Sequence, residues 1–288
     1  MSYKPTAQAT ANDAIASKAS AAYKKYFDDP MLQKVYHKNP QHKDPMINRG
    51  TWFRVRFIQQ LALKFIQTHE NGQIIVLGGG LDTLYFRLNE PAMKFTELDL
   101  PEIIQTKAHK LNMQKQDDGT YKYNEFYSIQ SGDLEEPDIL LQFQKDIPTL
   151  FISDVVVSYI ESDSTIDLIK QMRQFAYYAY ISFEMINPDD KFGDTMIFNM
   201  SRRETFMPTF AEVGYTGSYR ARFLENECES IFCKEAWEVY KKWNGRNEME
   251  KIEMLDEFEQ FEIIMKHYGC ICCGKGIDIE SWIEAHFE

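Results

Sequence analysis

Two periods of hydrophobic and polar residues succeed one another along the chain, and each switch between them marks an element. From Gly50 to His69 the apolar residues Trp52, Val55, Ile58, Leu61, Ala62 and Phe65 recur at three- and four-residue steps. That spacing predicts an amphipathic helix, with Arg54, Gln60 and Lys64 on its other face. The Ala- and Lys-rich segment from Thr10 to Phe27 contains neither Gly nor Pro and predicts an earlier helix. It ends before Asp28-Asp29-Pro30, and a connector follows through Pro40 and Pro45. The run QIIVLGGGLDTLYFRL changes period: a short β-branched strand (Ile74 to Leu77), a glycine turn, and a helical segment from Leu81. Such an order opens a nucleotide-binding βαβ unit.

The alternation continues. KFTELDL predicts a second strand ending in Asp99, and LPEIIQTKAHKL a helix. A third strand is expected near Glu125 to Gln130, before the turn Ser131-Gly132-Asp133. PTLFISDVVVSYI, continuously apolar, reads as a central parallel strand buried on both faces. A helix with its N-cap near Ser162-Asp163 should bury Ile166, Ile169, Met172 and Phe175, and AYISFEMIN forms a further strand. Beyond Asn187 the pattern loosens. Lys191 to Glu250 reads as helical and charged, with KEAWEVYKKW its clearest amphipathic piece, and FEQFEIIMKHYGCICCG is expected to supply two antiparallel edge strands. The whole predicts an open, mostly parallel α/β sheet in a single domain over 1–288. Residues 1–72 would form a helical cap, 73–190 the binding core, and 191–288 a helical insertion with the terminal strands.

Composition narrows the classes. At 288 residues, 44% hydrophobic and 14% aromatic, the chain can bury a large core. No stretch reaches the roughly 18 apolar residues of a membrane span, and the start MSYKPTAQATAND lacks a signal-peptide pattern, so a cytoplasmic protein is expected. A formal net charge of -12 opposes nucleic acid as a main partner, since such binding rests on Lys and Arg neutralising phosphates. The five cysteines give no disulfide framework. Cys270, Cys272 and Cys273 read as buried strand thiols, and no metal site is expected, because no Cys or His pair elsewhere completes four ligands.

In an α/β sheet, ligands bind beyond the carboxyl ends of the strands. Gly78, Gly79 and Gly80 let the backbone approach a ligand and point amides at it, although a tight turn without ligand has the same composition. The turn lacks the Gly-Lys-Ser/Thr of a P-loop, and Thr83 replaces the third glycine of a dinucleotide fingerprint. Asp99, about 20 residues on, can accept from ribose hydroxyls; Glu97 competes for that role, and a helix N-cap is the plain alternative. Asp133 can accept from an adenine amino group, with Leu134 packing on the ring, or be an ordinary turn aspartate. Asp154 is a carboxylate in an apolar strand, costly unless it is paired or lines a pocket.

At INRGTWFRV, IIVLGGGLDTLYFRL and FTELDLPEII the chain resembles the leucine carboxyl methyltransferase family, enzymes that methyl-esterify the C-terminal leucine of protein phosphatase 2A catalytic subunits. The similarity runs from about Asn12 through Phe198, with PTLFISDVVVSYI and FEMINPDDKFGDTMIFNM in order, and returns at MKHYGCIC. The resemblance implies a Rossmann-like class I methyltransferase fold and S-adenosylmethionine as cofactor. It makes Lys18 and Arg54 the cationic grips near the cofactor's methionine carboxylate and Gly78, with Gly80, its cradle. Asp99 becomes the ribose ligand, and Asp133 with Leu134 the adenine contacts. The resemblance also makes Asp154 a cofactor contact; the family usually has glutamate there, so this carboxylate has one methylene less reach. Tyr159 matches a tyrosine near the substrate carboxylate and joins Arg54 in orienting the leucine end; a core tyrosine is the alternative.

The expected reaction needs no general base, because a C-terminal carboxyl with a pKa of about 3.5 is ionised at neutral pH. The insertion after Lys191 is the expected surface for the phosphatase. Three other readings stay open: a nicotinamide-dependent oxidoreductase, a carboxyl methyltransferase acting on a small molecule, and a non-catalytic binder of the phosphatase tail.

Overall fold

The structure, a computed structural model, describes residues 5–37, 39 and 41–287, with side chains from residue 9 onward. Residues 1–4 of the opening segment and Pro40 of the expected connector lie outside the described residues. The chain runs α1 (Pro5–Tyr23), α2 (Leu32–Val35), α3 (Pro45–Thr68), β1 (Gln73–Leu77), α4 (Leu84–Arg87), β2 (Lys94–Asp99) and α5 (Pro101–Leu111). A small hairpin, β3 (Gln114–Lys115) and β4 (Tyr121–Lys122), precedes β5 (Tyr127–Ser131) and β6 (Thr149–Asp154). A 3-10 turn, Val157–Tyr159, leads to α6 (Ser162–Met172), β7 (Tyr178–Met185), α7 (Lys191–Ser201), α8 (Pro208–Val213) and α9 (Thr216–Glu225). The chain closes with β8 (Ser230–Glu235), α10 (Ala236–Lys242), α11 (Arg246–Met249), α12 (Phe258–Lys266), β9 (Tyr268–Lys275) and α13 (Ile279–Glu284).

Among the described residues nine strands form one sheet in the order β3-β4-β5-β2-β1-β6-β7-β9-β8. β5, β2, β1, β6 and β7 are parallel, as the strand and helix alternation predicts, while β9 runs antiparallel to both β7 and β8. The order reverses between β1 and β6, which opens a crevice at their carboxyl ends.

Residues of period two divide between the two faces. Ile74, Val76, Leu150 and Ile152 join the core beneath α1 and α3, while Ile75, Leu77 and Phe151 join the opposite one. In α3 the predicted stripe Trp52, Val55, Ile58, Leu61, Ala62 and Phe65 is buried throughout, and the helix starts at Pro45, a residue suited to a first turn. Phe53 lies edge-on to Phe183 at 6.2 Å, to Tyr240 at 5.6 Å and to Trp243 at 5.7 Å, so the helix is fastened to both the sheet and α10.

Several expectations are corrected. The two terminal edge strands are one helix and one interior strand. Phe258–Lys266 turns helical because Phe261 and Met265, four residues apart, face the same core. β9 takes its antiparallel neighbour from β8, a strand inside the stretch expected to be helical. The helix from Leu81 lasts only from Leu84 to Arg87, since Asn89 and Glu90 both turn left-handed (φ 60° and 51°) before Pro91. α1 stops at Tyr23, and Lys25 has φ 67°. In α6, Leu168 is buried in place of the half-exposed Ile166, and the N-cap is Glu161. As expected, Cys270, Cys272 and Cys273 are buried in a strand, β9, as free thiols. Among the described residues no helix is long and apolar enough to cross a membrane.

Removing the Phe53 ring should cost about 4 kcal/mol, the usual range for a buried phenylalanine. Phe53→Ala is expected to lower the urea midpoint with little change of slope; an unchanged midpoint would mean that α3 is not held by this ring.

Candidate functional site

The crevice between β1 and β6 widens into a cavity of about 1140 Å³. Its walls are α1, α3, the turns after β1, β2, β5 and β6, and the stretch around Met200 to Pro208. The nine residues that the resemblance assigns, Lys18, Arg54, Gly78, Gly80, Asp99, Asp133, Leu134, Asp154 and Tyr159, line it, and Glu97 does not.

The floor is the glycine turn. Gly78 and Gly80 adopt φ of 69° and 55°, a region that side chains resist. A Cβ on Gly78 would lie 2.6 Å from Val156, and one on Gly79 2.4 Å from the Glu97 carboxylate. The Gly78 and Gly79 amides donate to the Leu98 carbonyl at 2.8 and 3.3 Å, and the Gly80 amide donates to Asp99 Oδ2 at 2.7 Å. Asp99 Oδ1 accepts from its neighbour's amide, Leu100, at 2.7 Å. Each oxygen so occupied by one donor retains room for another, as a ribose diol requires. Glu97 does not share that position. It is 2% exposed beneath the turn, ion-paired to Lys107, and accepts from Tyr127 Oη at 2.8 Å. Asp133 Oδ1 accepts from the Glu135 amide at 3.1 Å, and Leu134 is buried next to it.

One side of the cavity is a chain of charges. Lys18 Nζ, 3% exposed, donates to Asp154 Oδ2 at 2.7 Å and lies 3.0 Å from Asp82 Oδ2. Arg54 donates through Nε to Asp154 Oδ1 and through Nη2 to the Asp154 carbonyl at 3.0 Å. Arg87 grips Asp82 with both Nη atoms, at 2.7 and 3.0 Å, and Asp29 at 3.0 Å. Burial alone would raise the carboxyl pKa values. The Arg87 and Lys18 charges instead hold Asp82 well below the usual range, and Arg54 and Lys18 hold Asp154 down. Beyond Asp154 and Asp82, Lys18 keeps one N–H and Arg54 keeps three, so both can also serve a ligand carboxylate. Arg54, assigned by helical pattern to a plain polar face, thus looks into the cavity. Asp82 and Arg87 were missed by sequence reading, although Asp82 stands two residues past the glycines in GGGLDT.

The other side is aromatic and apolar. Tyr159, at the end of the 3-10 turn, stands near Arg54 and Tyr268, and burial pushes its phenol up. Tyr268 stacks on Phe183 at 5.3 Å, and Met185, Met200 and Phe206 extend the wall outward. Phe206 is 74% exposed at the rim.

A parallel sheet continued by an antiparallel strand, with a glycine turn and acidic residues at the strand ends around one cavity, defines a class I methyltransferase fold. The family model described as leucine carboxyl methyltransferase matches residues 4–173. The chain belongs to the leucine carboxyl methyltransferase family, and it is a methyltransferase. It is 30% identical to leucine carboxyl methyltransferase 1 of Bos taurus, over 91% of this chain and 87% of that one. It is also 30% identical to the Schizosaccharomyces pombe protein of the same name, over 89% and 90%. The Arabidopsis thaliana homolog is 28% identical over 93% and 88%. Among solved structures, a candidate methyltransferase from Thermobifida fusca YX aligns with a TM-score of 0.50 at 10% identity, over 84% of this chain and 92% of that one. That likeness is one of fold.

The charge chain has a pH signature. Asp82 and Asp154 have folded pKa values below those of the unfolded chain, so the folded state binds fewer protons. Their contribution is complete above about pH 4, the unfolded value, and is lost as pH falls through the depressed folded values. Glu97, Asp99 and Glu184 are raised by burial and act with the opposite sign. Asp82→Asn should therefore cost about 3 kcal/mol at neutral pH and flatten the acid loss of stability. Urea midpoints measured from pH 7 to pH 3 would show it, and parallel pH curves for the two proteins would contradict it.

Proposed function

We propose that the protein is an S-adenosylmethionine-dependent enzyme that methyl-esterifies the C-terminal leucine carboxylate of a protein phosphatase 2A catalytic subunit. The observation that supports this most is that Lys18, Arg54 and Asp154 meet the glycine turn and Tyr159 within one cavity. The cavity is large enough for the cofactor together with the end of a peptide.

Gly78 and Gly80 would cradle the cofactor, with Asp99 accepting from its ribose and Asp133 and Leu134 meeting the adenine. Lys18 and Arg54 would hold its amino-acid carboxylate with the donors that Asp154 leaves over. Asp154 keeps both cations aimed inward, and its shorter side chain is reached by Lys18 and Arg54 directly. S-adenosylmethionine would supply an electrophilic methyl group to a carboxylate that is already ionised, so no proton has to move.

What remains for the protein is placement. Arg54 and Tyr159 would orient the leucine carboxylate, and the apolar wall of Phe183, Met185 and Tyr268 would keep water away while opposite charges cancel. A salt bridge to the attacking oxygen that was too tight would stabilise the ground state, so Arg54, shared with Asp154, suits a positioning role. The exposed rim around Phe198 and Phe206, in the segment after Lys191, would meet the body of the phosphatase.

The test is transfer of labelled methyl to a phosphatase 2A catalytic subunit, with and without its terminal leucine. Base-labile label that requires the leucine is expected, and Arg54→Ala should reduce kcat/KM by about 100-fold with its far-ultraviolet spectrum unchanged. Label that is indifferent to the leucine would mean another acceptor.

A further inference from the structure

The carboxylates lining the charged wall have cations as partners; among the described residues, one buried carboxylate behind the aromatic wall has none. Glu184, the charged residue in the β7 sequence YAYISFEM, is 0% exposed. Its Oε1 accepts from Ser182 Oγ at 2.8 Å, Ser153 Oγ at 2.9 Å, and the amides of Val156 and Val157, both at 3.2 Å. Its Oε2 accepts from the Ser158 amide at 3.2 Å and the Ser158 hydroxyl at 3.0 Å. A carboxylate taken out of water without a cation needs such a full set of donors, and four of these six come from three consecutive residues.

Those residues lie between Asp154 and Tyr159. The turn begins at Val155, whose φ of 57° is left-handed. A β-branched residue is strained there and persists only where its surroundings enforce the conformation. Its own amide donates to the Phe183 carbonyl at 2.8 Å. Val156 lies against Gly78, so the same turn touches the glycine floor, and the cavity receives Val155, Val156 and Tyr159 from it.

We propose that Glu184 is a positioning residue. By holding the amides of Val156, Val157 and Ser158 it enforces the left-handed Val155 and thereby aims Tyr159 at the acceptor carboxylate. The kinetic part of this inference rests on the function proposed above; the anchoring of the turn does not. Asp154 is held separately, by Lys18, Arg54 and its place in β6, so the charged wall is independent of the anchor, and the turn meets the cofactor end through Val156 against Gly78.

The experiment compares the full chain with Glu184→Gln, Ser158→Ala, and Glu184→Gln combined with Val155→Gly. Glutamine keeps the size but turns an acceptor into a donor that faces other donors. Amide exchange over 155–159 is expected to quicken by about tenfold in Glu184→Gln, with little change over 149–153. The acceptor kcat/KM should fall by about tenfold, while the Kd for S-adenosylhomocysteine from calorimetry stays within about threefold. Glycine adopts the left-handed conformation without strain, so the Val155→Gly addition should recover at least half of the acceptor kcat/KM. Ser158→Ala, a milder change that keeps Glu184, should move both readouts the same way by less. Unchanged exchange over 155–159 in these variants would overturn the anchor. A uniform loss of kcat without recovery by Val155→Gly would reduce Glu184 to a support of the fold. Should the unaltered enzyme transfer nothing to a leucine-ended acceptor, the functional proposal falls and the exchange arm still judges the anchor.

Discussion

Burying Asp154 at the end of β6 commits three separate pieces of the chain to one place. A carboxylate withdrawn from water must be paired, and its partners come from α1, through Lys18, and from α3, through Arg54. Lys18 carries the constraint on to Asp82 beside the glycine turn, and Arg87 carries it to Asp29 in the connector after α1. The N-terminal helices are thereby drawn over the crevice between β1 and β6, and a groove open to solvent becomes a walled cavity. The Ser20 hydroxyl donates to Asn48 of α3 at 2.8 Å, which fastens α1 at a second polar point.

The two sides of the cavity follow from this division. Where the cations converge, Lys18 and Arg54 keep donors not used by the protein. Across from them stand the aromatic and sulfur-containing side chains of Phe183, Met185 and Tyr268. A reaction that joins an anion to a cationic methyl donor needs both conditions at once: charge to orient the reactants, and a dry surround that does not stabilise them apart. Glu184 lies behind the apolar wall and Asp154 within the charged one, the first holding backbone amides and the second the cations Lys18 and Arg54.

Much of this was legible in the sequence because it depends on local pattern. The three- and four-residue spacing in α3, the β-branched run before Gly78 and the apolar run of β6 are each properties of a short window, although the strand expected through PTLFISDVVVSYI stops at Asp154, where Val155 turns left-handed. The acidic residues at strand ends could be placed because a parallel sheet puts them at one edge. Two kinds of feature escaped. The β8 and β9 pairing joins segments some forty residues apart, and nothing local in Ser230–Glu235 separates a strand from the helices around it. The partners of buried charges escaped as well: Arg87 reads as one cation near the end of a short helix, and Glu184 as one acid in FEMIN. The rule applied to Asp154, that a lone carboxylate in an apolar strand must be satisfied by something, holds equally for Glu184 and would have found it. The spacing of Arg54 pointed the wrong way, since the face opposite a helix's apolar stripe meets solvent only if no other wall stands there.

If the charge chain is built to share its cations with a ligand, Lys18 should matter to cofactor affinity more than to folding. Calorimetric titration of S-adenosylhomocysteine into the protein and into Lys18→Met measures this directly, with thermal unfolding of both in parallel. The account predicts a loss of affinity of about 30-fold in the variant, which still unfolds cooperatively. Equal affinity in the two proteins would show that Lys18 serves only Asp154 and Asp82, and that the amino-acid end of the cofactor is held elsewhere.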